Sequence, residues 1–244
     1  MGNELDFYGN IRSPDVRMLY DMDEVLFDRE WLRSAENMEL YYMYRNLYRS
    51  SSEHEIISKH NLSYDITVIP PRMLGREYVK TAGHYHPHVP GTELSYTEVY
   101  QVLEGKATYL LQKQEDDRIT DVMVYNAEEG DCVLIPPGYG HITINATGEA
   151  LKMANWVCRD FSSIYGTIRE LSGGAYYLLV DGFVKNNHYQ DVPPIRFMDV
   201  VDYPELGLVS GTDMYELVND ISRLGFLERP QDYAEVFERA VKGK

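Results

Sequence analysis

Three histidines and one glutamate in the middle of this chain have the residue types and the spacing of a metal site. His84 and His86 are two residues apart, so on an extended strand both side chains point to one face. Glu98 and His141 each follow within a later run of strand-forming residues. Three imidazoles and one carboxylate suit Fe, Mn, Ni or Zn, whereas Ca and Mg prefer cages of oxygen ligands.

The spacing around His141 resembles the second motif of the cupin family, G-x5-P-x-G-x2-H-x3-N. The chain matches this motif at every position from Gly130 to Asn145. Pro136 and Gly138 supply the turn in this motif, and we expect the turn to aim His141 inward. This resemblance therefore implies that the segment forms a pair of barrel strands, with His141 as one metal ligand.

The first cupin motif, G-x5-H-x-H-x3-4-E-x6-G, fits less closely. Eleven residues, rather than three or four, separate His86 from Glu98, and no glycine lies six residues before the first histidine. The extra residues contain the turn signal Pro90-Gly91, so a loop inserted between two ligand strands explains them. The insertion leaves Glu93 and His88 as alternatives to Glu98.

Composition excludes several classes of partner. The 244 residues carry a net charge of −16, which disfavours nucleic acid and anionic membranes. Two cysteines, Cys132 and Cys158, are too few for a disulfide framework and fit a reducing cytoplasm. The first residues lack the basic and apolar regions of a signal peptide, and no run approaches the roughly 18 apolar residues of a membrane span.

The elements that must position the candidate ligands are short strands. Between residues 64 and 181, about nine β-rich runs alternate with turn residues, which is typical of a sandwich or barrel. Residues 28–48 have the spacing of an amphipathic helix, and Ser52-x-x-Glu55 predicts a capping box that begins a second helix. Asp213-x-x-Glu216 and Pro230 predict two helices near the end of the chain.

We expect a mainly β fold: one cupin (jelly-roll) barrel with N-terminal helices and a helical C-terminal extension. Residues 1–63 would form an arm and helices that pack on the barrel, residues 64–181 the barrel with its metal site, and residues 182–244 the extension.

Four segments of the chain together resemble the cupin-type glucose-6-phosphate isomerases, the metal-dependent, archaeal-type family. The segments are Thr81-x-Gly83-His84-x-His86, Glu98-Val99-Tyr100-x-Val102-Leu103-Glu104-Gly105-Lys106, Ile135-Pro136-Pro137-x-x-x-His141 and Tyr165-Gly166-Thr167-Ile168. The resemblance covers roughly residues 67–168. The last segment follows two serines, and hydroxyls with a glycine amide are groups that bind phosphate without a full charge.

This resemblance implies a homodimer with one divalent metal per subunit, Fe²⁺ before Mn²⁺, Ni²⁺ or Zn²⁺, and a sugar phosphate as substrate. It implies that the metal ligands are His84, His86, Glu98 and His141. It implies that the sugar phosphate is held by Thr67, Thr81, Gly83 and Tyr165. Tyr100 lies two residues past Glu98, shares its face of the strand, and would contact the sugar hydroxyls.

The implied reaction interconverts glucose 6-phosphate and fructose 6-phosphate, moving a hydrogen between C2 and C1. Glu98 is either the base for a proton transfer or a firm metal ligand, because a ligated carboxylate is a weaker base. In the second case a metal-polarised hydride shift competes. Three histidines and a glutamate also suit Fe or Mn dioxygenases and decarboxylases, and a non-catalytic sugar-binding cupin is a third interpretation.

Overall fold

The computed structural model describes residues 3–243, and in that part the chain is dominated by short strands. The strands are β1 (Leu5–Phe7), β2 (Asn10–Arg12), β3 (Asp15–Met18), β4 (Glu39–Tyr44), β5 (Leu62–Ile69), β6 (Met73–Leu74), β7 (Glu77–Tyr78), β8 (Glu98–Glu104), β9 (Lys106–Glu115), β10 (Arg118–Glu128), β11 (Cys132–Ile135), β12 (Tyr139–Ile144), β13 (Leu151–Cys158), β14 (Tyr176–Leu179), β15 (Gly182–Lys185) and β16 (Arg196–Met198). The α-helices are α1 (Arg29–Leu32), α2 (Ser51–Lys59), α3 (Gly166–Glu170) and α4 (Ala234–Lys242). The 3₁₀ helices are Leu19–Val25, Pro204–Leu206, Met214–Leu227 and Pro230–Tyr233.

Two sheets enclose the central core. One has six strands in the order β11-β8-β13-β5-β4-β3, and the other has four in the order β12-β9-β10-β16. All pairings are antiparallel except that of β10 with β16. Side chains from both sheets, including Tyr100 and Val102 of β8 and Tyr109 and Leu111 of β9, meet in one buried cluster. The predicted fold, a cupin barrel of jelly-roll type, is confirmed.

The strands of the six-stranded sheet present alternate residues to two different cores. On β8, Tyr100 and Val102 face the barrel interior, whereas Val99 packs outside. On β13, Met153 faces inward and Trp156 faces outward. This follows from the period of two along a strand, and it gives the sheet an inner face for a site and an outer face for packing.

The predicted helix over residues 28–48 is wrong. Only α1, four residues long, is helical there, and residues 39–44 form strand β4 between β3 and β5. Its tyrosines are strand formers, and Tyr41 and Tyr44 are buried by pairing on both sides, so tertiary context overrides the helical spacing. The next helix, α2, is confirmed, but its capping box is Ser50 with Glu53, two residues earlier than predicted.

The helices predicted near the end of the chain are present. Asp213 caps the first by accepting a hydrogen bond from the Tyr215 amide, and this 3₁₀ helix has a kink at Asp220. Pro230 begins the last helical stretch, which continues as α4. The three-part division of the chain stays a proposal, although β3, β4 and β16 show that both flanking parts add strands to the barrel sheets. No helix among residues 3–243 has the length and hydropathy needed to cross a bilayer.

The C-terminal part of the chain is fastened to the outer face of β8 and β13. The Gln101 side-chain amide donates to the Thr212 carbonyl (2.7 Å), and its oxygen accepts from the Met214 amide (2.9 Å). Trp156 Nε1 donates to the Met214 carbonyl (3.0 Å), and the Thr97 hydroxyl donates to the Phe226 carbonyl (2.9 Å). Polar contacts on the outer face of the sheet therefore anchor the strand that begins with Glu98.

Replacing Gln101 with leucine should destabilise the protein by about 1–3 kcal/mol, because it leaves the buried Met214 amide and the partly buried Thr212 carbonyl without this partner. Urea denaturation measures the change in the free energy of unfolding. The matched control is Gln114→Leu at a hairpin end, where the side chain bonds only an exposed turn carbonyl and we expect less than about 0.5 kcal/mol. Equal losses in the two variants would contradict this account.

Candidate metal centre and substrate cavity

The structure brings the four predicted ligand side chains together. One ligand atom from each of His84, His86, Glu98 and His141 lies within 4.8 Å of the others. Glu98 is the first residue of β8, and His141 lies on β12. His84 is fixed opposite His141 by two backbone hydrogen bonds, of 3.3 and 3.0 Å, so the segment that carries His84 is joined to β12 at the site itself.

The two alternatives to Glu98 lie outside this cluster. The inserted residues between the ligand strands form a hairpin-like loop in which the Val89 amide donates to the Leu94 carbonyl (2.8 Å). Gly91 takes a positive φ of 81° at its tip, which the predicted turn required. His88 and Glu93 are both exposed on this loop. The loop lengthens the connection and leaves the ligand positions in place.

The tautomer of His86 follows from its surroundings. Its Nδ1 lies 3.1 Å from the Tyr96 carbonyl oxygen, which can only accept, so Nδ1 carries the hydrogen. In the neutral ring Nε2 then carries a lone pair, and this atom lies 3.2 Å from Nε2 of His84. A backbone carbonyl that orients a histidine in this way is the usual outer partner of a metal ligand.

The Glu98 carboxylate is completely buried and has two different oxygen environments. Oε1 accepts a hydrogen bond of 2.7 Å from the Asn155 side chain. Oε2 lies 3.2 Å from Nε2 of His141 and 3.4 Å from Nε2 of His86, yet it has no partner with hydrogen-bond geometry. Burial alone would raise the pKa of Glu98, but the two histidines outweigh it and lower the pKa well below its usual range.

The surroundings of His84 and His141 favour the neutral form that metals bind. Burial lowers the pKa of His84 well below its usual value, and the nearby His141 and His86 add to this effect. Burial also lowers the pKa of His141, against the opposing influence of Glu98. Neutral imidazole is the ligand form, so these rings do not have to lose a proton near pH 7 before coordination.

Tyr100 adds a hydroxyl beside the cluster. Its oxygen lies 3.2 Å from Nε2 of His141, and the side chain lines the cavity next to Glu98. Burial, reinforced by the charge of Glu98, raises the pKa of Tyr100 well above its usual value. The hydroxyl therefore keeps its proton and is a hydrogen-bond donor.

The donor set fits a divalent transition metal. Nitrogen and carboxylate ligands lie about 2.0–2.2 Å from such ions, which places neighbouring ligand atoms about 3 Å apart. The observed separations of 3.2 and 3.4 Å between Glu98 Oε2 and the two histidine nitrogens agree with this requirement. The unpartnered Oε2 of Glu98 and the lone pair of His86 Nε2 both need a cation at the centre of the cluster.

A cavity of about 280 Å³ opens on the cluster, and its wall includes all four residues predicted to hold a sugar phosphate. Thr67 lies on β5, Thr81 and Gly83 lie just before His84, and Tyr165 precedes α3. Gly83 has a φ of 77°, and a Cβ there would lie 2.5 Å from Ile142 Cγ1, so the position requires glycine. The Thr81 hydroxyl accepts from the Thr143 amide (3.0 Å), which leaves its own hydrogen free to donate.

Sequence reasoning missed several polar side chains in the same wall. They are Arg17, Arg45, Asp65, Asn155 and Arg159. The strand register explains the presence of three of them, because Asn155 pairs with both Asp65 and Tyr100, and Arg17 pairs with Tyr41. One signal was available: Asn155 is an amide within the otherwise apolar run Leu151–Trp156, broken elsewhere only by Lys152, and it is buried.

A jelly-roll barrel with three histidines and a glutamate at the base of an open cavity defines a cupin with a candidate metal centre. The chain belongs to the glucose-6-phosphate isomerase (GPI) family, whose family model matches residues 14–194. The family resemblance stated from the sequence is confirmed.

Relatives that carry the name glucose-6-phosphate isomerase match most of their own length. The protein of Pyrococcus furiosus is 29% identical over 188 residues, which are 75% of this chain and 92% of the relative. That of Pyrococcus horikoshii is 30% identical over 188 residues, 76% of this chain and 93% of the relative. That of Thermococcus litoralis is 30% identical over 173 residues, 69% and 84% respectively.

Solved structures overlap about half of the chain. A recombinant oxalate oxidase in complex with glycolate has a TM-score of 0.39 at 14% identity and covers 52% of this chain and 55% of its own. The 7S globulin of Momordica charantia has a TM-score of 0.37 at 20% identity and covers 53% of this chain and 34% of its own.

Replacing His86 with glutamine should release the bound metal, because the chain loses an imidazole that is already oriented by the Tyr96 carbonyl. We expect metal affinity to fall by more than the 10–100-fold that is common for outer-shell changes. Elemental analysis after dialysis, followed by titration with the divalent metal, measures the loss. The control His88→Gln changes an exposed histidine two residues away and should keep full metal content; if it lost as much metal, the ligand assignment would be wrong.

Proposed function

We propose that this protein is a metal-dependent aldose–ketose isomerase that interconverts glucose 6-phosphate and fructose 6-phosphate, a step of glycolysis and gluconeogenesis. The observation that carries the proposal is the single cavity in which the His84, His86, Glu98 and His141 cluster lies beside Thr81 and Gly83. Membership of the glucose-6-phosphate isomerase family and the shared name of its relatives support the same reaction.

The metal we propose is one Fe²⁺ per subunit, with Mn²⁺, Ni²⁺ or Zn²⁺ as substitutes, held by the three histidines and Glu98. When bound, such an ion polarises the carbonyl oxygen and stabilises negative charge that develops on O1 and O2 of the sugar. The lowered pKa values of His84 and His141 and the unpartnered oxygen of Glu98 support this assignment.

The other end of the substrate would lie against hydroxyls and amides. Thr67, Thr81, Gly83 and Tyr165 are the proposed contacts of the sugar phosphate, and Tyr100 donates its proton to a sugar hydroxyl near the reacting carbons. Asn155 fixes the orientation of the carboxylate by its hydrogen bond to Oε1. Thus Glu98 can present only Oε2 to the cluster.

This geometry favours Glu98 as a ligand over Glu98 as the base. Its Oε2 lies 3.2 and 3.4 Å from Nε2 of His141 and His86, and a carboxylate that binds a metal is a weaker base. We therefore propose that the hydrogen on C2 moves to C1 with its electron pair, while the O2 proton passes to O1.

Isomerisation in D₂O should leave the migrating hydrogen unlabelled under this proposal, because a hydride shift does not exchange with solvent. Proton NMR of fructose 6-phosphate formed from glucose 6-phosphate measures deuterium at C1. The control uses a conventional proton-transfer isomerase in the same buffer, where label must appear. Substantial deuterium at C1 with the present enzyme would assign the step to a base instead.

The activity itself is tested by a coupled assay of fructose 6-phosphate to glucose 6-phosphate. The metal-replete enzyme should turn over, a chelator should abolish activity, and added divalent metal should restore it. His86→Gln should lose activity, whereas His88→Gln should keep it. Oxygen uptake or CO₂ release without isomerisation would favour a dioxygenase or decarboxylase, and binding without turnover would favour a sugar-binding cupin.

We also propose a homodimer in the cytoplasm. The family resemblance is the basis for the dimer. Cys132 and Cys158 are both free and buried, which agrees with a reducing compartment, as does a phosphorylated metabolite as substrate.

A further inference from the structure

Arg17 is one of three cavity arginines, with Arg45 and the exposed Arg159, that the proposed function leaves without a role. It lies on β3, at the edge of the six-stranded sheet, and its side chain lines the cavity. Its Nε is buried and has no hydrogen-bond partner. A buried, unpartnered polar atom on a cationic side chain is costly unless a ligand supplies the partner.

The position of Arg17 links it to the proposed phosphate contacts. Arg17 pairs with Tyr41 across the strands, and its guanidinium carbon lies 5.9 Å from the centre of that ring. The Tyr41 hydroxyl in turn accepts a hydrogen bond of 3.3 Å from the Ala82 amide, between Thr81 and Gly83. The guanidinium therefore shares a neighbour with the segment that offers a hydroxyl and a glycine amide.

The second arginine on the same sheet face is already neutralised. Arg45 forms ion pairs with Asp15 (3.2 Å) and Asp65 (3.4 Å). Arg17 has no ion pair with any carboxylate of residues 3–243, in a protein whose net charge is −16. Its charge is therefore available to an anion that enters the cavity.

We propose that Arg17 binds the phosphate group of the substrate and sets the preference of this enzyme for phosphorylated over neutral sugars. The inference rests on the proposed function, and it adds a positive charge beside the hydroxyls and amides of Thr67, Thr81, Gly83 and Tyr165. A planar guanidinium donates two parallel hydrogen bonds to a phosphate, which hydroxyl groups cannot do.

Kinetics of the Arg17→Gln holoenzyme test the proposal. KM for fructose 6-phosphate should rise by about 10- to 100-fold, as expected for the loss of a charge-assisted contact, while kcat changes by less than about threefold. Arg17→Lys should restore part of the affinity, because lysine keeps the positive charge but cannot donate two parallel hydrogen bonds. Arg12→Gln, on β2 outside the cavity, should change KM by less than about threefold.

Calorimetric binding separates this inference from the proposed function. The probes are 6-phosphogluconate, whose C1 carboxylate cannot isomerise, and gluconate, which lacks the phosphate. Arg17→Gln should lower the affinity for 6-phosphogluconate by about 10- to 100-fold and leave the affinity for gluconate unchanged. This result would support the role of Arg17 in phosphate binding even if the wild-type protein showed no isomerase activity. An unchanged affinity for 6-phosphogluconate, or an equal loss for both probes in a folded variant, would overturn the proposal.

Discussion

The arrangement of this protein depends on one buried carboxylate, that of Glu98, among three imidazoles. A carboxylate removed from water needs compensation, and Asn155 provides it for Oε1 alone. For Oε2, the nearest groups are ring nitrogens of His86 and His141. Because the Tyr96 carbonyl fixes the hydrogen of His86 on Nδ1, the neutral His86 ring presents a lone pair to Oε2. Protonated rings would relieve this repulsion, but burial lowers the pKa of His84 and His141. A divalent cation would satisfy all four groups together, which makes the cluster a candidate metal centre.

The alternation of inward and outward residues along the strands places the ligand side chains on the wall of a cavity. Each inward residue of β8 is followed by an outward one, so the strand that carries Glu98 and Tyr100 inward also carries Val99 and Gln101 outward. The outward residues anchor the C-terminal part of the chain, most of which lies beyond the residues that the family model matches. These contacts limit how far β8 can move. This matters because a displacement of about 1 Å in a catalytic group can lower the reaction rate by about 100-fold. The C-terminal extension therefore has a physical connection to the site without lining it.

Local sequence was sufficient for the metal cluster and insufficient for much of the cavity wall. His84, His86 and His141 lie in motifs whose turn residues and strand period are visible within a few positions, so their convergence could be predicted. Strand β4 was mistaken for a helix because Tyr41 and Tyr42 lie three and four residues after Met38, and only pairing with β3 and β5 decides between the two. The same pairing delivers Arg17 to the cavity. Cross-strand register is a property of the whole sheet, and no short segment of the chain contains it.

The charge balance of the cavity also differs from that of the chain. A net charge of −16 opposes an anionic substrate at long range, but salt screens this repulsion beyond a Debye length of about 8 Å at physiological ionic strength. Inside the cavity screening is weaker, so the nearest groups decide. There Arg45 is held by Asp15 and Asp65, whereas Arg17 is free of such partners. A divalent cation in the ligand cluster would add two positive charges, of which Glu98 neutralises one. An acidic protein can thus present a locally positive cavity to a sugar phosphate, and the sheet register rather than the composition determines that local sign.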